Sequence, residues 1–215
     1  MNKLQSVIFD CDGVIVDSER LTNEVLRDDL ESHGLKLTVE EVMDAFVGGT
    51  MVDVHKRALI AGADLPSDWV EAIYEKIYIC LAERVELIPG ILDVLDALEV
   101  AGIPYAVGSN GRVRKMEITL GRCGILDRFE GRLLSGQDFA APKPAPDVYL
   151  GAMQLLGAAP SSSAVIEDSA TGARAGRASG ARTYGFFAET PKERLDPHCD
   201  VLFDDMGDLP RLLGL

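Results

Sequence analysis

The chain has 215 residues, 47% of them hydrophobic and 26% charged, which is the usage of a folded globular protein and excludes a disordered one. Its net charge of −14, from 21 basic and 35 acidic residues, excludes a nucleic-acid partner, since phosphate-backbone binding needs a basic footprint. No stretch approaches the ~18 apolar residues of a membrane span, and acids at Asp10 and Asp12 forestall a signal-peptide core, so a soluble, cytoplasmic protein with no membrane partner is expected.

In chain order, SVIFD (Ser6–Asp10) is a short β-branched and apolar run of the kind found in buried parallel strands. From about Ser18 to Val85 the pattern is helical only. ERLTNEVLRDDLESHG ends in Gly34, a helix stop, and TVEE over Thr38–Glu41 has the form of a capping box. A further helix is expected from Pro66 past Trp69 to about Ala82. After Ile88–Gly90 the two kinds of element alternate. The order is helix Ile91–Ala101, strand IPYAVGS, helix Val113–Cys123, strand near RLLS, helix Pro146–Leu156, strand AVIED, helix Ala170–Ser179 and strand RTYGFF. Such alternation specifies an α/β doubly wound parallel sheet with helices on both faces. The first strand has only this sheet to pair with, which makes the helical block an insertion. Residues 1–17 and 86–215 are therefore expected to form the α/β core and 18–85 an all-helical cap domain.

Ligands of doubly wound sheets bind beyond the carboxyl ends of the strands, so the residues at those ends carry the chemistry. The first strand ends in Asp10-Cys11-Asp12, the second in Ser109-Asn110, a loop after RLLS holds Lys143, and AVIED ends in Glu167-Asp168. Period-two geometry puts Asp10 and Asp12 on one side of an extended segment. Two unit charges ~4 Å apart interact by about 4 kcal/mol at an effective dielectric of 20, so these acids need a dication or a proton among them. Hard oxygen donors suit Mg²⁺, which also neutralises the repulsion between a carboxylate and a phosphate dianion. Lys143 and the Ser109 hydroxyl suit the remaining phosphoryl oxygens. The acidic pair then reads as a nucleophile with an acid/base partner. Cys11, Cys80, Cys123 and Cys199 are scattered without CxxC spacing and are expected as thiols rather than disulfides or zinc ligands. His33, His55 and His198 show no ligand spacing either.

With these residues assembled, the chain resembles the haloacid dehalogenase superfamily, specifically its phosphatases with a helical cap and the β-phosphoglucomutase-like branch. DCDGVIVDS looks like the DxDGxxxDS signature, SN the second motif, KPAPD the lysine motif and IEDSATG the acidic fourth motif. The resemblance implies Asp10 as nucleophile, forming an aspartyl phosphate, and Asp12 as general acid/base with its backbone carbonyl on Mg²⁺. It further implies Asp10, Glu167 and Asp168 as side-chain metal ligands beside Asp12, with Ser109, Asn110 and Lys143 holding the phosphoryl group. Gly48, Gly49 and Thr50 of VGGT form the candidate substrate-facing loop of the cap. The second acid, Asp12, separates the chain from the hydrolytic dehalogenases. Thr22 and Asn23 stand near the position of the mutases' cap histidine, and LAERVELIPG lacks their Lys-Arg pair. SNGRVRKM and LLSGQD look more like the sugar-phosphate and 6-phosphogluconate phosphatases. The expected activity is hydrolysis of a small phosphorylated metabolite of that class. A phosphomutase is the alternative within the family, and a phosphoacceptor signalling domain the alternative outside it.

Overall fold

A computed structural model describes residues 3–46, 50–188 and 190–215. The chain divides into two compact units, Met1–Val16 with Leu87–Leu215 and, between them in sequence, Asp17–Glu86. Strands β1 (Ser6–Phe9) and β2 (Val16–Asp17) come first. The helices α1 (Glu19–Ser32), α2 (Val39–Phe46), α3 (Met51–Ile60) and α4 (Trp69–Arg84) follow. After β3 (Glu86–Leu87) come α5 (Ile91–Ala101), β4 (Tyr105–Ser109), α6 (Val113–Arg122), β5 (Leu133–Ser135), α7 (Asp147–Leu155), β6 (Ser163–Glu167) and α8 (Ala170–Ser179). The chain finishes with β7 (Arg182–Phe186), α9 (Lys192–Leu195), β8 (Val201–Phe203) and α10 (Leu209–Leu213).

The larger unit is built on a six-stranded sheet of order β5-β4-β1-β6-β7-β8, every neighbouring pair parallel. The chain runs outward from β1 through β4 to β5, then returns to β6 on the other side of β1. That reversal opens a crevice beside the carboxyl end of β1. The strands read as unbroken apolar runs because both faces are covered. Ile8 is in register with Ala106 on one side and Val165 on the other, and all three join Val148, Tyr149 and Met153 in one buried cluster. Phe9 has the opposite parity and meets Tyr105 edge-on at 6.3 Å between ring centroids. Each fully buried aliphatic of this kind contributes about 1.5–3 kcal/mol relative to exposure. Helix α5 spans the expected Ile91–Ala101, with its last turn closed by Gly102 at φ +65°.

The helical unit has its own polar anchor. Asp29 on α1 is buried, and its carboxylate accepts the Trp69 indole N–H of α4 at 2.5 Å and an ion pair from Lys76. His55 stacks on Trp69 with ring centroids 5.6 Å apart. The Thr38–Glu41 capping box forms as the sequence requires: the Thr38 N–H donates to Glu41 Oε2 at 2.8 Å and the Glu41 N–H to Thr38 Oγ1 at 3.1 Å. The helix expected from Pro66 instead starts at Trp69, because Pro66 opens a turn whose carbonyl takes the Trp69 N–H at 3.1 Å. Thr50 is the N-cap of α3, where its N–H and hydroxyl both donate to Asp53 Oδ2. Gly48 and Gly49, expected to face substrate with it, lie outside the described residues. Among the described residues no helix is long and apolar enough to cross a membrane.

Candidate active site

The end of β1 delivers Asp10 into the crevice, and its backbone N–H is tied to the Ile166 carbonyl of β6 at 2.9 Å. Lys143 reaches this carboxylate from the loop before α7. Its ammonium donates to Asp10 Oδ1 at 2.5 Å and to Glu167 Oε1 at 2.7 Å, with only 3% of the lysine side chain exposed. The same nitrogen sits 4.5 Å from the centroid of the Tyr149 ring, whose hydroxyl donates to Glu167 Oε1 at 2.5 Å. The other oxygen of Glu167 accepts the Ser169 N–H at 3.1 Å and the Ser169 hydroxyl at 2.9 Å. Four donors therefore hold the Glu167 carboxylate. Burial pushes the Asp10 carboxyl up to about 7, with Glu167 and Asp12 adding to the rise and Lys143 opposing it. Burial alone would drive Lys143 toward the neutral amine, but the Asp10 and Glu167 charges outweigh it and raise its pKa.

Asn110, at the end of β4, holds the lysine loop by its main chain. Its carboxamide oxygen accepts the Lys143 N–H at 2.9 Å and its amide nitrogen donates to the Lys143 carbonyl at 3.2 Å. Ser109 is buried, and its hydroxyl accepts the Gly111 N–H at 3.0 Å. Asp12 lies on the same side. A Cβ placed on Gly111 would sit 3.3 Å from Ser109 Oγ and 3.6 Å from Asp12 Oδ2. Asp12 Oδ1 accepts a hydrogen bond from Lys115 of α6 at 2.7 Å, a pair only 21% and 15% exposed. Asp168, also buried, presses its carboxylate against Gly13, where any Cβ would overlap it; φ +76° at Gly13 likewise favours glycine.

The expected residues thus come together as two groups around the end of β1. Asp10, Lys143 and Glu167 share one hydrogen-bonded network, while Asp12 and Ser109 flank Gly111 and Asp168 packs on the loop between. Four carboxylates gather here around the ammoniums of Lys143 and Lys115, and such a concentration of acidic oxygens suits a dication. Among the described residues no three His, Cys, Asp or Glu side chains close into a metal cage, but Mg²⁺ ordinarily takes one or two carboxylates and completes its shell with water and substrate oxygens. The donors are hard oxygens, the set that suits Mg²⁺.

Residues 7–186 match the family described as haloacid dehalogenase-like hydrolase. The chain belongs to that family. It is an enzyme of the hydrolase type, and its parallel sheet with flanking helices is the family's fold. Among similar proteins, 6-phosphogluconate phosphatase of Escherichia coli is 27% identical over 214 residues, spanning 99% of this chain and 96% of that protein. Hexitol phosphatase A of Escherichia coli is 30% identical over 198 residues, covering 90% of this chain and 88% of its own. A crystal structure of a family hydrolase from Deinococcus radiodurans, with bound phosphate and sodium, superposes with a TM-score of 0.83 at 28% identity and covers 100% of this chain and 96% of that one.

Three further residues of this haloacid dehalogenase-like hydrolase support the site, and the sequence marks them weakly or not at all. Lys115 is one of three cations in four positions, with Arg112 and Arg114, a dense patch for so acidic a chain and a sign of an acid nearby. Tyr149 carries no local signal, because its role depends on Glu167, 18 residues away. Gly172 has a steric role: a Cβ there would coincide with the Glu167 carboxylate. Gly172→Ala is expected to displace Glu167, loosen Lys143 and lower kcat at least about 10-fold, with about 1–3 kcal/mol lost to overpacking. Steady-state kinetics and thermal unfolding of the variant measure both effects.

Proposed function

We propose that this hydrolase is a Mg²⁺-dependent phosphomonoesterase acting on a small phosphorylated metabolite of the sugar-phosphate or 6-phosphogluconate class. The observation that carries the reading is the buried Asp10 carboxylate at the end of β1, gripped by Lys143 with Asp12 two positions on. The relatives named as phosphatases of 6-phosphogluconate and hexitol phosphate, and the phosphate bound in the Deinococcus structure, support the substrate class. Side chains of Asp10 and Asp168 and the backbone carbonyl of Asp12 would hold the metal. Glu167 joins them only by exchanging one of its four hydrogen bonds. When bound, Mg²⁺ supplies the positive charge that lets a carboxylate approach a phosphate dianion.

Asp10 attacks phosphorus, forming the carboxylate O–P bond as the P–O bond to the leaving group breaks. Asp12 gives its proton to the departing alkoxide. In the second half Asp12 takes a proton from water, which attacks the same phosphorus, breaks the bond to Asp10 and releases phosphate. Lys143 keeps Asp10 aimed and, with the Ser109 hydroxyl, faces the phosphoryl oxygens. The contribution of Asn110 falls to its main chain, because its carboxamide is spent on Lys143. The helical unit is the proposed cap domain and carries substrate choice. Thr50 of the loop named above already caps α3. No disulfide links the four cysteines, which fits the cytoplasm as the compartment.

Phosphate release from p-nitrophenyl phosphate and a panel of sugar phosphates, with Mg²⁺ and with chelator, tests the reading. Metal-dependent turnover of at least one sugar phosphate is expected, and its absence in folded protein overturns the proposal. Asp12→Asn should lower kcat about 10²–10⁴-fold, the usual worth of a positioned acid/base, while leaving the fold intact. Wild-type rates in that variant would reassign the role.

A further inference from the structure

We propose that Lys115 is a positioning residue for Asp12, fixing one carboxylate oxygen so that the other faces the reacting group; the inference rests on the phosphomonoesterase reading above. The two residues stand 103 positions apart in sequence, and the fold alone joins them. Asp12 follows β1, while Lys115 is the third residue of α6, the helix launched from the end of β4. The ammonium is 2.7 Å from Asp12 Oδ1, and the pair is too enclosed to count as one of the weak ion pairs of an open surface. Lys143, the buried lysine of the crevice, pairs instead with Asp10 and Glu167.

Gly111 marks the point where the three groups meet. A Cβ there would crowd Ser109 Oγ at 3.3 Å and stand in ordinary contact, at 3.6 Å, with both Asp12 Oδ2 and Lys115 Cδ, so hydroxyl, acid/base and lysine surround one small space. The lysine stem lies along the space and its charged head ends on Asp12. Proton transfer requires the acid within roughly 2.6–3.2 Å of the oxygen it serves, and a displacement of about 1 Å forfeits on the order of 10²-fold in rate. Holding Oδ1 from one side sets the plane of the carboxylate. Lys115 therefore acts on the chemical step and leaves substrate affinity unchanged.

Lys115→Met is expected to lower kcat about 10–100-fold with KM within about 2-fold. Lys115→Arg, which restores a cation of similar reach, should recover most of the loss. In an Asp12→Asn background Lys115→Met should cost about nothing further, since a residue acting through another is silent once that partner is gone. Additive losses in the double variant, or a rise in KM matching the fall in kcat, would overturn the inference. Crystal structures of the wild type and Lys115→Met give a reading free of turnover. The Asp12 carboxylate should leave its place beside Gly111 in the variant, and an unmoved carboxylate defeats the proposal. A wild type inactive on the phosphate panel would sink the phosphomonoesterase reading, while the crystallographic comparison still decides the positioning.

Discussion

Asp10→Asn is expected to abolish turnover, lowering kcat on the order of 10⁴–10⁶-fold, because an amide cannot form the acyl phosphate of the proposed mechanism. Its stability responds differently. The substitution keeps an oxygen for the Lys143 ammonium and removes a charge that burial already disfavours, as the carboxyl's rise to about 7 shows. In metal-free buffer the variant should unfold at the wild-type temperature or slightly above it. Steady-state kinetics on the best sugar phosphate and calorimetry with chelator measure the two quantities. Appreciable turnover in the variant would remove Asp10 as nucleophile. Equal loss of rate and of fold would mean that the residue is structural.

Lys143→Met should damage both activity and fold. The ammonium is the shared counter-ion of two buried carboxylates, and removing one member of such a group costs about 3–5 kcal/mol, since the charges left behind remain desolvated. For a chain of this length that lowers the melting temperature by roughly 6–20 °C, at about 2–4 °C per kcal/mol. The size of the effect depends on pH in a defined sense. Folded Asp10 binds its proton more tightly than the unfolded chain, where the group titrates near about 3.9. Its contribution to stability is thus present at low pH and lost as pH rises through about 7. Loss of Lys143 steepens that slope, so the penalty in chelator should be smaller at about pH 5 than at about pH 8. A penalty independent of pH would show that packing of the lysine stem, and not its charge, supplies the stability.

The sheet was legible where the pattern is local and strong. β1, β4, β6 and α5 announce themselves through continuous apolar runs, helical periodicity and stop glycines, and strand ends then locate Asp10, Ser109 and Glu167 without further information. β8, the edge strand Val201–Phe203, is hidden because only the four-residue α9 precedes it, so the alternation of long helix and strand that announces the other strands is missing there. The two-residue β2 and β3 are too short for a periodic signal. Proline suits the first turn of a helix, whereas Pro66 opens the turn that precedes α4. What no local pattern conveys is how each polar group is used. Asn110 looks like a phosphate ligand in sequence, yet its carboxamide holds the Lys143 loop. Glu167 carries in sequence no sign of the four protein donors that surround its carboxylate. Lys115 finds Asp12 only after the sheet has brought distant strand ends side by side.

The two-stranded ribbon of β2 and β3 has an evolutionary corollary. The chain departs from the sheet-bearing unit after Val16 and resumes it at Leu87, on strands that pair with each other. Paired strands lie only about 4.8 Å apart, so the seventy or so intervening positions amount to a detour whose two ends nearly touch. A segment joined in this way can be lengthened, exchanged or rebuilt between lineages while the sheet that carries the hydrolytic machinery keeps its register, which lets one chemical apparatus serve many different metabolites.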